Sequence, residues 1–228
     1  MIPNAYSGDD VFQKKLTTLD VQMSVYEIKM YLAGILLCPE TIPPSFALEE
    51  ILLQDTESEI VFKDEKDHME FMNLFTGLWN QIVSYENSSD RYPKLSSEKK
   101  DLKSKKDKIE YILMKGDELV HFYIGLDESG ASEYVDQCFD LVKAGMGLYM
   151  INDRLCDFSY EYEINKKITD QDIDETLIVI KDFHDKWPSI YMKLNKIFSG
   201  IRSGKIKLDS EEEMERKMEE FENSSKLS

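Results

Sequence analysis

Apolar residues return every three or four positions along this chain, and that spacing predicts helices. Val25, Ile28, Leu32, Ile35 and Leu36 mark one face. Phe71, Met72, Phe75, Leu78, Trp79, Ile82 and Val83 mark a stronger one. A third set is Ile109, Ile112, Leu113, Val120, Tyr123 and Ile124, interrupted by Gly116. Val135, Cys138, Phe139, Val142, Met146 and Tyr149 form a fourth, and Ile173, Leu177, Ile180 and His184 a fifth. No convincing two-residue alternation lies between turn signals. Ser58 to Lys63 would make one short strand at most, and a lone strand builds no sheet. The pattern therefore predicts an all-α fold of about seven to nine helices. Residues 1–204 read as one helical domain, followed by an acidic helix or tail over 205–228.

Turn residues support this division. Pro39, Pro43 and Pro44 close one helix and open the next, because proline suits a first helical turn and disfavours helix in the residue before it. Asn87 to Asp90, followed by Arg91-Tyr92-Pro93, reads as a loop. Ser129-Gly130 before Ser132 reads as a turn with an N-cap. Thr169 with Asp172 is a capping box. Pro188 starts or kinks a late helix, which Ser199-Gly200 and Ser203-Gly204 end. Gly145 and Gly147 sit inside a helical pattern at a cost of about 1 kcal/mol each against alanine, which a bound ligand or, better, close helix packing would explain.

Charge narrows the function. The chain of 228 residues carries 45 acidic and 28 basic residues, a formal net charge of −17. Such a surface disfavours nucleic acid and anionic membranes, both of which attract basic proteins. No apolar run approaches the roughly 20 residues that span a bilayer. No basic head or apolar signal core stands at the start, and Cys38, Cys138 and Cys156 are too few and too scattered for a disulfide framework. Buried free thiols in a cytoplasmic protein are the expectation. Glu98 to Lys108 is locally basic and reads as a solvated helix face or connector, with a basic patch for an acidic partner as the alternative. Asp209 to Glu222 is strongly acidic, with Met214, Met218 and Phe221 on one side of a marginal helix, exposed or packed on a partner.

Gly200 to Ile206 lacks the spacing and the hydroxyl residue of a phosphate loop. Asp170-Gln-Asp172-Ile-Asp174 begins like a calcium loop, but Glu175 and Lys181 stand where Gly and Glu are needed. Glu65-Lys-Asp-His68 and Glu118-Leu-Val-His121 supply half of a carboxylate-bridged di-metal site, since each pair shares a helix face. Cys and His residues lie too far apart for structural zinc. No cysteine has the context of an activated nucleophile. Phe71, Phe75 and Trp79 form an aromatic stripe, read either as core or as a groove for a protein partner.

Tyr31-Leu-Ala-Gly-Ile-Leu-Leu-Cys-Pro39-Glu40-Thr-Ile-Pro43-Pro44-Ser45 resembles the signature stretch of the YecA/YgfB-like family of small bacterial proteins. Trp79-Asn80-Gln81-Ile82 is similar to its aromatic-Asn pattern, and His121-Phe122-Tyr123-Ile124-Gly125-Leu126 to its Gly-Phe-x-x-Gly. The resemblance covers roughly residues 20 to 150. The chain departs from it at Lys29-Met30, where the family has Asp-Gly, and at His121, where it has Gly. A cysteine-rich zinc tail found in some members has no counterpart here. The resemblance implies a helical cytoplasmic protein without established catalytic residues or cofactors, acting through an unidentified protein partner. The alternatives are a metal-dependent enzyme using Glu65, His68, Glu118 and His121, and an exported protein with a Glu-rich C-terminal signal.

Overall fold

A computed structural model describes residues 6–53, 60–85, 91–97, 102–165 and 167–225. They form eight α-helices: α1 (Asp9–Thr18), α2 (Val25–Leu37), α3 (Pro44–Leu53), α4 (Glu65–Val83), α5 (Lys105–Glu128), α6 (Phe139–Tyr160), α7 (Asp170–Arg202) and α8 (Glu211–Ser225). A 3-10 segment, Ala131–Gln137, precedes α6, and a π-helical turn, Glu161–Asn165, follows it. There is no strand among the described residues. Residues 60–62 are irregular, and the rest of the Ser58 to Lys63 segment apart from Lys63 lies outside them, as do Asn87 to Asp90 and residues 98–101.

Helix α2 is the centre. Ten of its thirteen residues are buried, so it is apolar on every side and must be enclosed. A capping box starts it: Ser24 Oγ accepts from Glu27 N at 3.2 Å, and Glu27 accepts from Ser24 N. Ile28, Leu32 and Ile35 turn toward a core shared with Phe12, Phe71, Phe75 and Leu78. Met30, Ala33 and Leu37 turn toward a second core with Leu119, Phe122, Leu155, Phe183 and Trp187.

The packing of α2 against α5 runs through two glycines. A Cβ on Gly34 would land on Phe122 O and lie 2.8 Å from Leu126 N. A Cβ on Gly125 would land on Tyr31 O and lie 3.1 Å from Ile35 N. The backbones touch, so no side chain fits between them.

The proline corner does what its residues predict. α2 ends at Leu37, and Pro44 opens α3. The carbonyls left unpaired at the corner are taken by α7: Arg202 Nη2 donates to Cys38 O at 2.6 Å, and Nε to Pro39 O at 3.2 Å.

Three expectations change. Gly116 does not interrupt α5, where it meets only Leu155 and Ser159 at ordinary contact distance, 3.8 Å. Of the two roles expected for Pro188, starting a helix is ruled out, since it lies inside the 33 residues of α7. The buried row Phe183, Trp187, Ile190, Tyr191 and Leu194 outweighs the roughly 3 kcal/mol that an interior proline costs. The acidic C-terminal segment folds back on the body. Asp209 accepts from Phe139 N at 3.0 Å at the start of α6, Lys217 reaches Asp209 at 2.7 Å, and Phe221 packs edge-on against Phe139. Hydrogen bonds from Lys217 and Phe139 N hold the Asp209 carboxyl below the usual carboxylate range.

Candidate functional site

The aromatic stripe is interior. Phe71, Phe75 and Trp79 are buried, with Phe71 edge-on to Phe12 at 5.8 Å and Phe75 beside Trp79 at 6.2 Å. They form the inner side of an amphipathic α4, so they offer no groove to a partner.

The di-metal set does not assemble. Glu65 and His68 are exposed at the start of α4, where the His68 ring lies against Phe62 at 4.8 Å. Helices α4 and α5 do not touch, because α2 stands between the cores they serve. His121 Nδ1 donates to Asp117 O of its own helix at 2.7 Å. Glu118 is held elsewhere. No group of three or more His, Cys, Asp or Glu side chains placed to hold a metal occurs among the described residues.

Glu118 belongs to a buried network that no motif announced. Lys115 is 0% exposed and Glu118 1%. Lys115 Nζ donates to Ser96 O at 2.7 Å and Ser96 Oγ at 2.5 Å, and lies 3.2 Å from Glu118 Oε2. Ser96 Oγ donates to Glu118. Burial raises the Glu118 carboxyl, against the lowering pull of Lys115 and Ser96. Every charge in the network has a partner, so it works as a clamp on the extended strap 91–97, which Trp187 Nε1 also holds by donating to Pro93 O at 2.7 Å. Near Lys115, His184 Nε2 lies 3.5 Å from Tyr111 OH; burial and the Lys115 charge push its pKa down to about 4. The one readable signal was Lys115 itself, in helical phase with Ile112 and Leu119.

On the other side of the strap a cleft of about 430 Å³ is lined by Tyr6, Asp9, Tyr26, Lys29, Gln81 and Lys94. Its buried cation is matched from within. Lys29 pairs with Asp9 at 2.5 Å and sits over the Tyr26 ring at 5.1 Å.

Two cysteines follow expectation and one does not. Cys38 and Cys138 are buried, and Cys156 is exposed. Partial burial, then Asp153 and Asp157, push the Cys156 thiol up, away from the reactive thiolate.

The largest departure is at α6. Its buried row is Leu141, Leu148, Ile151, Leu155 and Phe158. The row read from sequence, through Val142, Met146 and Tyr149, lies on the opposite side. Helix α6 therefore has two apolar faces. Helix α8 covers the beginning of the outer one through Phe221 on Phe139. Further along, Tyr149 is 63% exposed and Met150 67%, and Tyr160, three turns on from Tyr149, is exposed over the same side. Gly145 and Gly147 belong to this open region. A Cβ on either would meet nothing within 4 Å, which overturns the expectation of close packing.

The outer face runs into the π turn, where Tyr162 and Ile164 are also exposed. Clefts of about 500 and 420 Å³ flank the turn and share Ile168; Ile109 and Tyr162 line the first, Phe158 and Tyr160 the second. From Phe139 to Asn165 there are five acids (Asp140, Asp153, Asp157, Glu161, Glu163) against Lys143 and Arg154. Asp117 adds to them. Its carboxyl is raised by burial and then by Glu27 and Glu163, with His121 opposing. Asp153 and Asp157 stand between Tyr149 and Tyr160 on this side of α6, so the face mixes exposed apolar side chains with carboxylates, a surface that can hold another macromolecule.

No family model, curated protein or solved structure matches this chain. Among the described residues no helix is long and apolar enough to cross a membrane.

Proposed function

We propose that this chain is a non-enzymatic helical protein that acts by protein–protein contact, as a regulator or adaptor. The observation that carries the reading is the second apolar face of α6, exposed at Tyr149, Met150 and Tyr160 in a chain of net charge −17. Large exposed apolar patches with polar borders mark interaction surfaces. The resemblance of Tyr31 to Ser45 and His121 to Leu126 to the YecA/YgfB-like family supports the same reading. The free cysteines suit a reducing cytoplasm.

The test is affinity capture at native expression level, comparing the wild type with Tyr149→Ser/Met150→Ser. The expected result is one stoichiometric partner that the variant loses while its melting temperature holds. Substrate turnover by the pure protein, abolished by a substitution in a cleft, would overturn the reading.

A further inference from the structure

The outer face of α6 carries an electrostatic conflict. Asp153, Asp157 and Glu161 follow one another at four-residue steps, so they stack along one side of the helix. Like charges at that spacing repel one another. Arg154 does not relieve them, since it faces Asp172 at 4.0 Å and Glu175 at 3.7 Å on α7. Lys105, beside the first cleft at the π turn, is taken by Asp170 at 3.0 Å. Lys143 stands toward the other end of α6, and Lys167 lines the second cleft. The acids thus lie among exposed Tyr149, Met150 and Tyr160 without a matching row of cations.

We propose that this face receives a cationic amphipathic helix of another protein, its apolar side on Tyr149, Met150 and Tyr160 and its basic residues over Asp153, Asp157 and Glu161. The inference rests on the protein-interaction reading above and names the chemistry of the partner. The strip from Met146 to Tyr160 is about 20 Å long, at roughly 1.5 Å per residue, which is the length of four turns of a docked helix. Amphipathic helices in apolar grooves anchor by large side chains at three- and four-residue steps, and the clefts beside the π turn are open to such anchors. A second copy of this chain is a poor occupant. A two-fold contact through this face would bring the same acids together, in a protein already at −17.

The probe is a synthetic amphipathic helix of leucine and lysine, about five turns long, with a control in which every lysine is glutamate. Binding to the full chain is read by fluorescence anisotropy at about 50 and 200 mM salt. The lysine peptide is expected to bind, more weakly at higher salt, and the glutamate peptide not to bind. Asp153→Asn/Asp157→Asn/Glu161→Gln should weaken binding roughly tenfold, as three partly exposed ion pairs would. Tyr149→Ser/Met150→Ser should abolish it, with melting temperatures unchanged in both variants. Equal binding of the two peptides, or undiminished binding to the neutralised variant, overturns the cationic partner. So does self-association in sedimentation that Tyr149→Ser/Met150→Ser removes. If neither peptide binds while the captured partner is still lost on Tyr149→Ser/Met150→Ser, the cationic inference falls and the interaction reading stands. If the variant loses neither, both fall.

Discussion

Among the glycines in the helices of this protein, two pairs do opposite things. Gly34 and Gly125 lie where α2 meets α5, with the partner backbone in the space a side chain would fill. Gly145 and Gly147 lie on the outside of α6 with nothing near them. Helical glycine carries the same entropic penalty in both places. At the α2–α5 contact the penalty is offset by close approach of two backbones and by the two cores that flank it. On α6 nothing in the folded chain offsets it. The difference separates a contact that only glycine permits from two positions where the folded chain makes no use of the missing side chain.

The comparison can be broken most forcefully at the contact. Gly125→Ala forces its methyl onto Tyr31 O, and since the obstacle is backbone, the helices must slide apart. The expected loss is about 3 kcal/mol or more, and Gly125→Val should not fold. A denaturation midpoint equal to the wild type's would refute the close contact.

Next comes the buried clamp below the strap. Lys115→Met leaves the Glu118 carboxylate buried without its cation, at a cost of about 3–5 kcal/mol. The double variant Lys115→Met/Glu118→Leu should recover much of that. A double variant as unstable as the single would show that the loss is one of packing, not charge.

His184 gives a smaller effect with a definite sign. The unfolded chain protonates it near the ordinary value of 6.5, the folded chain only near 4. Its contribution to stability is therefore complete above pH 6.5 and falls away as pH drops from 6.5 toward 4. The size is on the order of 1–2 kcal/mol, after allowing for partial exposure. Glu118, whose carboxyl is raised, acts in the opposite sense, but it is present in both proteins when the wild type is compared with His184→Asn. Thermal melts across this range should converge toward acid pH, and parallel curves would contradict the neutral buried imidazole.

The smallest effect is on α6. Gly145→Ala and Gly147→Ala should each stabilise by about 0.5–1 kcal/mol, since neither glycine has a positive φ and neither has a neighbour to displace. A loss of stability would mean that this face is covered in solution.

Much of the fold was legible from residues alone. The helical period of Val25 to Leu36 and of Phe71 to Val83 identifies α2 and α4, because a helix that must bury one side writes that side into its spacing. Pro44 marks the start of α3, and Thr169 with Asp172 marks the start of α7, through hydrogen bonds that span only three residues. Capping and proline geometry are local, so they survive translation from sequence to structure unchanged.

The candidate site was not legible in the same way. Glu118-Leu-Val-His121 predicts a helix face shared by two ligands, yet Glu118 turns inward to Lys115 while His121 stays at the edge, bonded to Asp117 O of its own helix. On α6, Val142, Met146 and Tyr149 keep as good a helical period as Leu141, Leu148 and Leu155. Spacing alone cannot rank two apolar rows on one helix.

By itself, then, the sequence determined the all-α class, the proline corner, the cap at Thr169 and the acidic composition, because these depend on neighbours within a turn or on composition; the N-cap expected before Ser132 does not form, since Gly130 precedes that 3-10 segment with no side-chain cap. The tertiary structure alone decided that Gly34 meets Gly125's helix while nothing stands where a Gly145 side chain would go, that Lys115 lies under Ser96, and that one apolar face of α6 is core and the other is open. Those choices depend on which helices stand beside one another, and a residue's spacing along its own helix carries no record of the helix across from it.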